Sequence, residues 1–348
     1  MSAESNVRPA LFNVLSQLNA QKETLSLPMT TALDELNQSA AQAGMKMLGL
    51  NKIEEAEHFL TIASAAQFPE CQFGMATCNV YRDGIWHSEQ GKLSSHASEE
   101  TKKWLKLAAA LNYIPALIQL GDTESLETAK TLVSKFPAHK EPEGMYYQYL
   151  ITDDFSWLEK SAAAGFSLAQ FKLAEQYQRN PKLIANDALR LARIEELYQE
   201  SADAGLPLAL YARVFFEDST ASVAEKRTRL ARLANMGHVE AMMEYGYALA
   251  NMPYRERFAP NEDGSAPPFT NPYGLAKNIP LAYALLKYVQ KSMPAPIPPR
   301  LPADVHMIEM RMSLEDHEQA KLALTAVENN TPNLFARLEE LIVPGTAK

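Results

Sequence analysis

The sequence predicts an all-α protein built as an array of antiparallel helix pairs, and three observations predict it. Apolar residues recur at helical spacing along most of the chain, as Leu33, Leu36, Ala40, Ala43 and Met47 do near its start. Short periodic runs are joined through residues that tolerate a left-handed turn, chiefly glycine. One small/large pattern also returns five times, aligned on Gln67, Asn112, Gly165, Gly205 and Gly237.

Composition bounds what such an array can be. At 348 residues the chain exceeds one ordinary core, which suits an elongated repeat protein. Apolar content of 47% and charged content of 22% belong to a folded chain. A formal charge of −9 disfavours nucleic acid, which needs a broad cationic footprint to displace counterions, and anionic membrane surfaces likewise. No run reaches the roughly 18 apolar residues of a membrane span. The start, MSAESNVRPALFNVLSQLNAQ, lacks the pattern of a secretory signal, so the expected compartment is the cytoplasm. Cys71 and Cys78 fall on one predicted helix, with Cα atoms about 10 Å apart at a rise of about 1.5 Å per residue. That is too far for a disulfide, so they read as buried small apolar residues.

Taken in order, residues 8–20 and 30–49 read as two helices separated by a Leu27-Pro28 break. Thr30 or Thr31 is the expected cap of the second, with Asp34 and Glu35 in its first turn. The repeats start near Lys52. Eight positions before each hinge stand Phe59, Trp104, Trp157, Leu197 and Arg229, and one later come Leu60, Leu105, Leu158, Tyr198 and Leu230. Three before it are Ser64, Ala109, Ala162, Ala202 and Ala234; four after it, Cys71, Ala116, Ala169, Ala209 and Ala241. Eight after it come Met75, Leu120, Leu173, Arg213 and Tyr245, followed by Ala76, Gly121, Ala174, Val214 and Gly246. The hinge ends a first helix in the left-handed region, the bulky pair fills the seam with a neighbour, and small residues let two helices cross closely.

The hinges lie 45, 53, 40 and 32 residues apart, so the period is irregular. The longest interval holds SLETAKTLVSKF (125–136) and EGMYYQYLI (143–151), which read as an extra helical pair around a loop with Pro137 and Pro142. Residues 274–292 read as a further first helix, with a proline-rich run over 293–302 in place of a hinge. MSLEDHEQAKLALTAVENN (312–330) follows as an amphipathic closing helix capped by Ser313. The predicted organisation is an N-terminal helical cap over 1–50, a repeat array over 51–292 with long loops at 82–98 and 251–280, and C-terminal capping helices and tail over 293–348.

These residues resemble the Sel1-like repeat family, relatives of the tetratricopeptide repeats. The resemblance rests on WLEKSAAAGFSLAQFKLAEQY (157–177), LYQESADAGLPLALYA (197–212), LARLANMGHVEAMMEYGYALA (230–250) and WLKLAAALNYIPALIQLGD (104–122). It covers about residues 52–330, departing from the pattern at Gln67, Asn112 and Arg229. It implies a right-handed α-solenoid that holds a protein or peptide on its concave face. Family members in bacteria act as regulators, accessories of envelope or secretion machinery, and companions of secreted effectors. A cysteine-rich branch is linked to β-lactams, which two cysteines match poorly.

Chemistry is thin. The sequence holds no glycine-rich phosphate loop, no nucleophile elbow, no C-x-x-C and no H-E-x-x-H, so neither enzyme, metal nor cofactor is expected. His87 and His96 share a loop with acids but match no ligand spacing. Two partner-binding candidates remain. One is Lys226, Arg227, Arg229 and Arg232 on a predicted first helix, suited to an acidic segment or to intramolecular acids. The other is the loop aromatics Trp86, Tyr254, Phe258, Phe269 and Tyr273, either tucked onto the array or presented as contacts. The expected function is an adaptor for a protein or peptide partner. Alternatives are an immunity or companion protein of a secreted toxin and a hydrolase of β-lactam or cell-wall-like substrates. Self-association through an end of the array is compatible with the pattern.

Overall fold

The computed structural model describes residues 4–49, 52–83, 93, 96–216, 220–252, 271–292 and 300–330. Side chains of residues 4–8 are not included. The described residues form α-helices joined by turns and short 3-10 segments, without a strand. The chain divides into two compact units, Met1–Ile194 and Glu195–Lys348.

The first unit opens with α1 (Glu4–Ala20) and α2 (Leu27–Gly49). It continues with the pairs α3 (Ile53–Ala65) and α4 (Pro69–Asp83), then α5 (Glu99–Ala110) and α6 (Ile114–Leu120). Next come α7 (Thr123–Val133) and α8 (Glu141–Thr152), then α9 (Phe155–Ala163) and α10 (Ser167–Arg179). The long α11 (Asp187–Asp203) runs across the boundary between the units. The second unit holds the end of α11, α12 (Pro207–Phe215), α13 (Val223–Asn235) and α14 (Val239–Ala250). It closes with α15 (Ile279–Ser292), α16 (Leu301–Glu309) and α17 (Leu314–Asn330).

All five predicted hinges are left-handed, with φ of 62° at Gln67, 61° at Asn112, 86° at Gly165, 91° at Gly205 and 89° at Gly237. Each closes the same C-terminal motif. The hinge N–H donates to the carbonyl three residues back at 2.8–3.1 Å, and the next N–H to the carbonyl four before the hinge at 3.1–3.3 Å. This pairing satisfies carbonyls that the helix end would otherwise orphan. The residue after each hinge is Phe68, Tyr113, Phe166, Leu206 or His238, a column of larger side chains that the alignment left unmarked.

The predicted columns supply much of the core, although Ala109, Leu120, Trp157 and Tyr245 are only partly buried. Every residue four after a hinge is 0% exposed, which sets the crossing distance of each pair. Leu60, Leu105, Leu158 and Leu230 are also fully buried, each contributing about 1.5–3 kcal/mol by leaving water. At Gly44 a Cβ would lie 2.8 Å from Leu60 Cδ2, so the glycine lets α2 approach α3. Cys71 and Cys78 are free and buried, and burial together with nearby Glu70 pushes the Cys71 thiol up to about 12. A thiol held protonated in this way is a core residue rather than a nucleophile.

Several boundaries differ from the sequence reading. Pro28 does not break a helix; it sits in the first turn of α2, where a missing N–H costs nothing. Thr30 and Thr31 accordingly bond back to the carbonyls of Ser26 and Leu27 at 3.1 and 3.0 Å rather than capping. The extra pair is present as α7 and α8: Ala129 and Val133 of α7 share a cluster with Ile114 and Ile118 of α6, against which Tyr147, Leu150 and Ile151 of α8 pack, and Pro142 belongs to α8 rather than to the loop. Residues 274–278 are not helical: Gly274 has φ 55°, and Asn278 accepts from the Leu281 N–H at 3.0 Å to start α15. The proline-rich run gives way to α16 from Leu301, with Pro302 in its first turn, a helix not foreseen individually. Ser313 caps α17 as expected, accepting from the Asp316 N–H at 3.1 Å while Asp316 accepts from its N–H at 3.0 Å. The face of α17 is less apolar than its pattern suggests: Ala320 is buried, whereas Leu314 and Leu322 are 90% and 73% exposed. The centres of the 82–98 and 251–280 loops lie outside the described residues.

Candidate functional site

The predicted basic helix is α13, started by a capping box between Ser222 and Glu225. Its four cations divide by position. Lys226 is half-buried, while Arg227 is exposed and donates through Nη1 to the Gly274 carbonyl at 3.0 Å. Arg232 is exposed too, but its Nη1 reaches the carbonyls of Ala202 and Asp203 at 3.2 and 3.3 Å. Those carbonyls lie in the last turn of α11, where the helix dipole favours a cation. Arg229 is 5% exposed, and its Nη2 donates to Gln199 Oε1 and to Glu225 Oε1, the latter at 3.4 Å.

Arg229 is one of two arginines at columns that are otherwise apolar or aromatic. The other is Arg213 on α12, 3% exposed and ion-paired with Glu195. Both donate to the same Gln199 amide oxygen, Arg213 at 3.5 Å. Glu195, Gln199 and Asp203 are spaced four apart, so they line one face of α11 and meet both guanidinium groups. A buried cation persists only with partners of this kind. The cluster leaves a cleft of about 300 Å³, lined by Asp203, Glu225, Thr228, Arg229 and Arg232 among others.

Of the predicted loop aromatics, Tyr273 is tucked in: it is 4% exposed and donates its hydroxyl to Glu244 at 3.2 Å. Trp86, Tyr254, Phe258 and Phe269 lie outside the described residues, as does His87.

A larger groove of about 850 Å³ lies in the first unit, where the sequence reading placed no site. Its floor is the end of α3 and the hinge after it, Ser64 to Phe68, its far wall is the end of α5 at Leu107 and Ala110 with Leu111 just beyond, and α1 and α2 close the remaining side. Phe12 packs edge-on to Trp104 with ring centroids 5.3 Å apart, which fixes α1 beside α5. Three polar side chains in the lining are buried: Asn37, Ser64 and Gln72 are 3%, 1% and 3% exposed. Asn19 Nδ2 donates to the Leu15 carbonyl at 2.8 Å, so Asn19 Oδ1 must accept from Asn37 Nδ2, also at 2.8 Å. Asn37 Oδ1 is thereby left over. Gln72 Nε2 donates to the Ser64 carbonyl at 3.4 Å, leaving Gln72 Oε1 over in turn. Neither oxygen, nor Ser64 Oγ, has a hydrogen-bond partner among the described residues. Lys22 and Asp34, 2.5 Å apart, stand at the rim.

This groove was legible only in outline. Asn37 and Gln72 each adjoin an apolar position of the helical pattern, the half-buried Leu36 and the buried Cys71, and two amides beside apolar columns are the signal available in advance. Leu107 and Leu111, 37% and 39% exposed on a first helix, are its apolar counterpart.

Among the described residues no group of three or more His, Cys, Asp and Glu side chains could hold a metal ion. No described helix is long and apolar enough to cross a membrane. No protein-family model matches the chain, and no curated protein matches it. Solved structures similar to the chain include two that illustrate the match. One is c5321, a protective antigen of uropathogenic Escherichia coli strains displaying an SLR fold, at 14% identity and a TM-score of 0.41. The match covers 90% of this chain and 65% of that one, so the chain spans about two thirds of c5321's length. The other is a Sel1 repeat protein from Oxalobacter formigenes, at 15% identity and a TM-score of 0.34, covering 88% of this chain and 91% of that one. The described residues form an all-helical array, and the chain is similar to these solved Sel1-repeat proteins.

Proposed function

We propose that the chain is a non-enzymatic interaction scaffold that receives a segment of a partner protein between consecutive first helices. The observation that carries this reading is the 850 Å³ groove of the first unit, built on elements whose ends are pinned by the hinge motifs. A preformed groove requires little ordering on binding, which favours an adaptor. The finer reading is a cytoplasmic accessory of a bacterial secretion system, or the companion of a secreted toxin, as the sequence resemblance suggests. The groove takes precedence over the predicted acidic-partner site on α13, because Arg229 and Arg232 already engage groups of the same chain.

Site-specific photo-crosslinking in the native source tests the reading. A crosslinker replacing Leu107, on the groove wall, is expected to trap a defined partner protein, whereas one replacing Leu322, exposed on α17, is not. No adduct at Leu107, or the same adducts at both positions, overturns it.

A further inference from the structure

Each unit contains the same construction, a groove between consecutive first helices, but only the second supplies its own occupant. In the second unit, Arg232 stands five positions before its hinge, Gly237. Its guanidinium donates to the carbonyls three and two positions before the preceding hinge, Ala202 and Asp203, at 3.2 and 3.3 Å. The occupied groove retains about 300 Å³.

In the first unit, the residue five before the hinge Asn112 is Leu107, which brings no donor. The equivalent carbonyls belong to Ser64 and Ala65, and the groove above them measures about 850 Å³. The Ser64 carbonyl accepts from the Gln67 N–H at 3.1 Å, as Ala202 does from Gly205 at 2.9 Å, but where Ala202 also receives Arg232, Ser64 receives only Gln72 Nε2 at 3.4 Å. Beside it lie the three polar atoms already described, Asn37 Oδ1, Gln72 Oε1 and Ser64 Oγ, buried without partners among the described residues. Two are fixed as acceptors by what their amide nitrogens donate to. The first helices α3 and α5 both end at this groove, so two negative helix termini face it. At the rim, the Asp34 carboxylate is already paired with Lys22.

We infer that the first-unit groove binds an arginine side chain of the partner segment, occupying intermolecularly the role Arg232 fills within the second unit. The guanidinium presents five planar N–H donors, which suits a set of neutral acceptors and helix-end carbonyls better than the compact lysine ammonium does. It enters from the α1–α2 side. Gln67 carries a side chain where Gly205 leaves room for Arg232, whose Nη2 would lie 2.5 Å from a Cβ there. Side chains of Asn37 and Gln72 turn toward the entering group, exchanging an unpaired buried state for charge-assisted hydrogen bonds.

This inference rests on the scaffold reading but has its own test. The full chain is titrated calorimetrically with the capped pentapeptide Ala-Ala-Arg-Ala-Ala and with its citrulline counterpart, which keeps the shape and loses the charge. The arginine peptide is expected to bind about tenfold or more tightly than the citrulline peptide. Leu107→Arg combined with Gln67→Gly, which gives the first unit both the internal arginine of the second and the room that Gly205 leaves for it, is expected to abolish that binding, and Gln72→Leu to weaken it several-fold. Circular dichroism and thermal melting establish that each variant is folded, and Gln72→Leu decides the matter if the double variant is not. Equal affinity for the two peptides overturns the arginine site, as does undiminished binding by a folded variant. A partner still trapped at position 107 under those results leaves the scaffold reading standing and removes only the arginine.

Discussion

The groove of the first unit and the cleft of the second are the same repeat feature finished in two ways. Where α3 meets α5, the seam residue is Trp104, packed by Phe12, and the buried polar groups are neutral and under-satisfied. Where α11 meets α13, the seam residue is Arg229, joined by Arg213 and Arg232, with carboxylates of Glu195, Asp203 and Glu225 around them. One groove holds unfilled acceptors; the other holds donors and acceptors supplied by the same chain. The difference teaches that charge at a repeat seam does not by itself mark a binding surface. The most cationic helix of this acidic chain has Arg227, Arg229 and Arg232 engaged by groups of the same chain, whereas the larger opening is lined mainly by amides, alanines and leucines.

The sharpest way to break the comparison is to remove an arginine from the second unit. Arg213→Ala strands Glu195 and a share of the Gln199 amide next to a void, and is expected to cost about 3 kcal/mol. The double variant Arg213→Leu/Arg229→Trp restores the residue types of Leu173 and Trp157 at the same columns. Replacing the pair together with apolar groups is expected to recover at least half of that loss, because no buried cation then remains. Midpoints of urea unfolding measure both. A double variant less stable than Arg213→Ala would mean that the acids of α11 need the arginines more than the seam needs bulk.

A smaller effect separates the hinges. Gly205→Ala meets both a left-handed backbone and Arg232 Nη2 at 2.5 Å, whereas Gly165→Ala, at φ 86°, meets nothing within 4 Å. The first is expected to lose about 2–3 kcal/mol and the second about 1 kcal/mol. In the first unit the sign reverses. Gln67 already carries the strain of φ 62°, so Gln67→Gly is expected to gain up to about 1 kcal/mol. Thermal denaturation of the three variants orders them, and equal losses at Gly205 and Gly165 would show that Arg232 does not fill that site in solution.

Much of the fold was legible because each repeat column answers a local steric demand. All five hinges, two of them without glycine, are left-handed, and the small residues after them sit at the helix crossings. Two prolines misled in the same way: Pro28 and Pro142 read as breaks, but each lies in a first turn whose N–H has no helical partner to lose. The site was less legible for a different reason. Arg229 looked like a groove residue because sequence shows a charge but not the Gln199 and Glu225 that meet it from α11 and from one turn earlier. Asn37 and Gln72 looked like ordinary polar positions because being buried without a partner is a property of three-dimensional packing.

The gentlest probe of the comparison acts on the cap that orients Arg229. Ser222 donates its backbone N–H at 2.9 Å and its hydroxyl at 2.8 Å to Glu225 Oε2, and these bonds hold the Glu225 carboxyl below its ordinary value of 4.5. Arg229 and Arg213 lower it further. A depressed folded-state value means that Glu225 supports the fold fully above about pH 4.5 and loses that contribution as pH falls through the folded value. Ser222→Ala is expected to cost about 0.5–1 kcal/mol at neutral pH through the lost cap, and to return the Glu225 titration toward its ordinary value. The difference in stability between the parent and Ser222→Ala should then shrink as pH falls from 4.5 through the parent's depressed folded value, below which the carboxylate is protonated in both. The two are compared by carboxyl NMR titration and by urea unfolding across the acid range. A Glu225 titration unchanged by the substitution would detach the cap from the arginine cluster and leave Gln199 alone to orient Arg229.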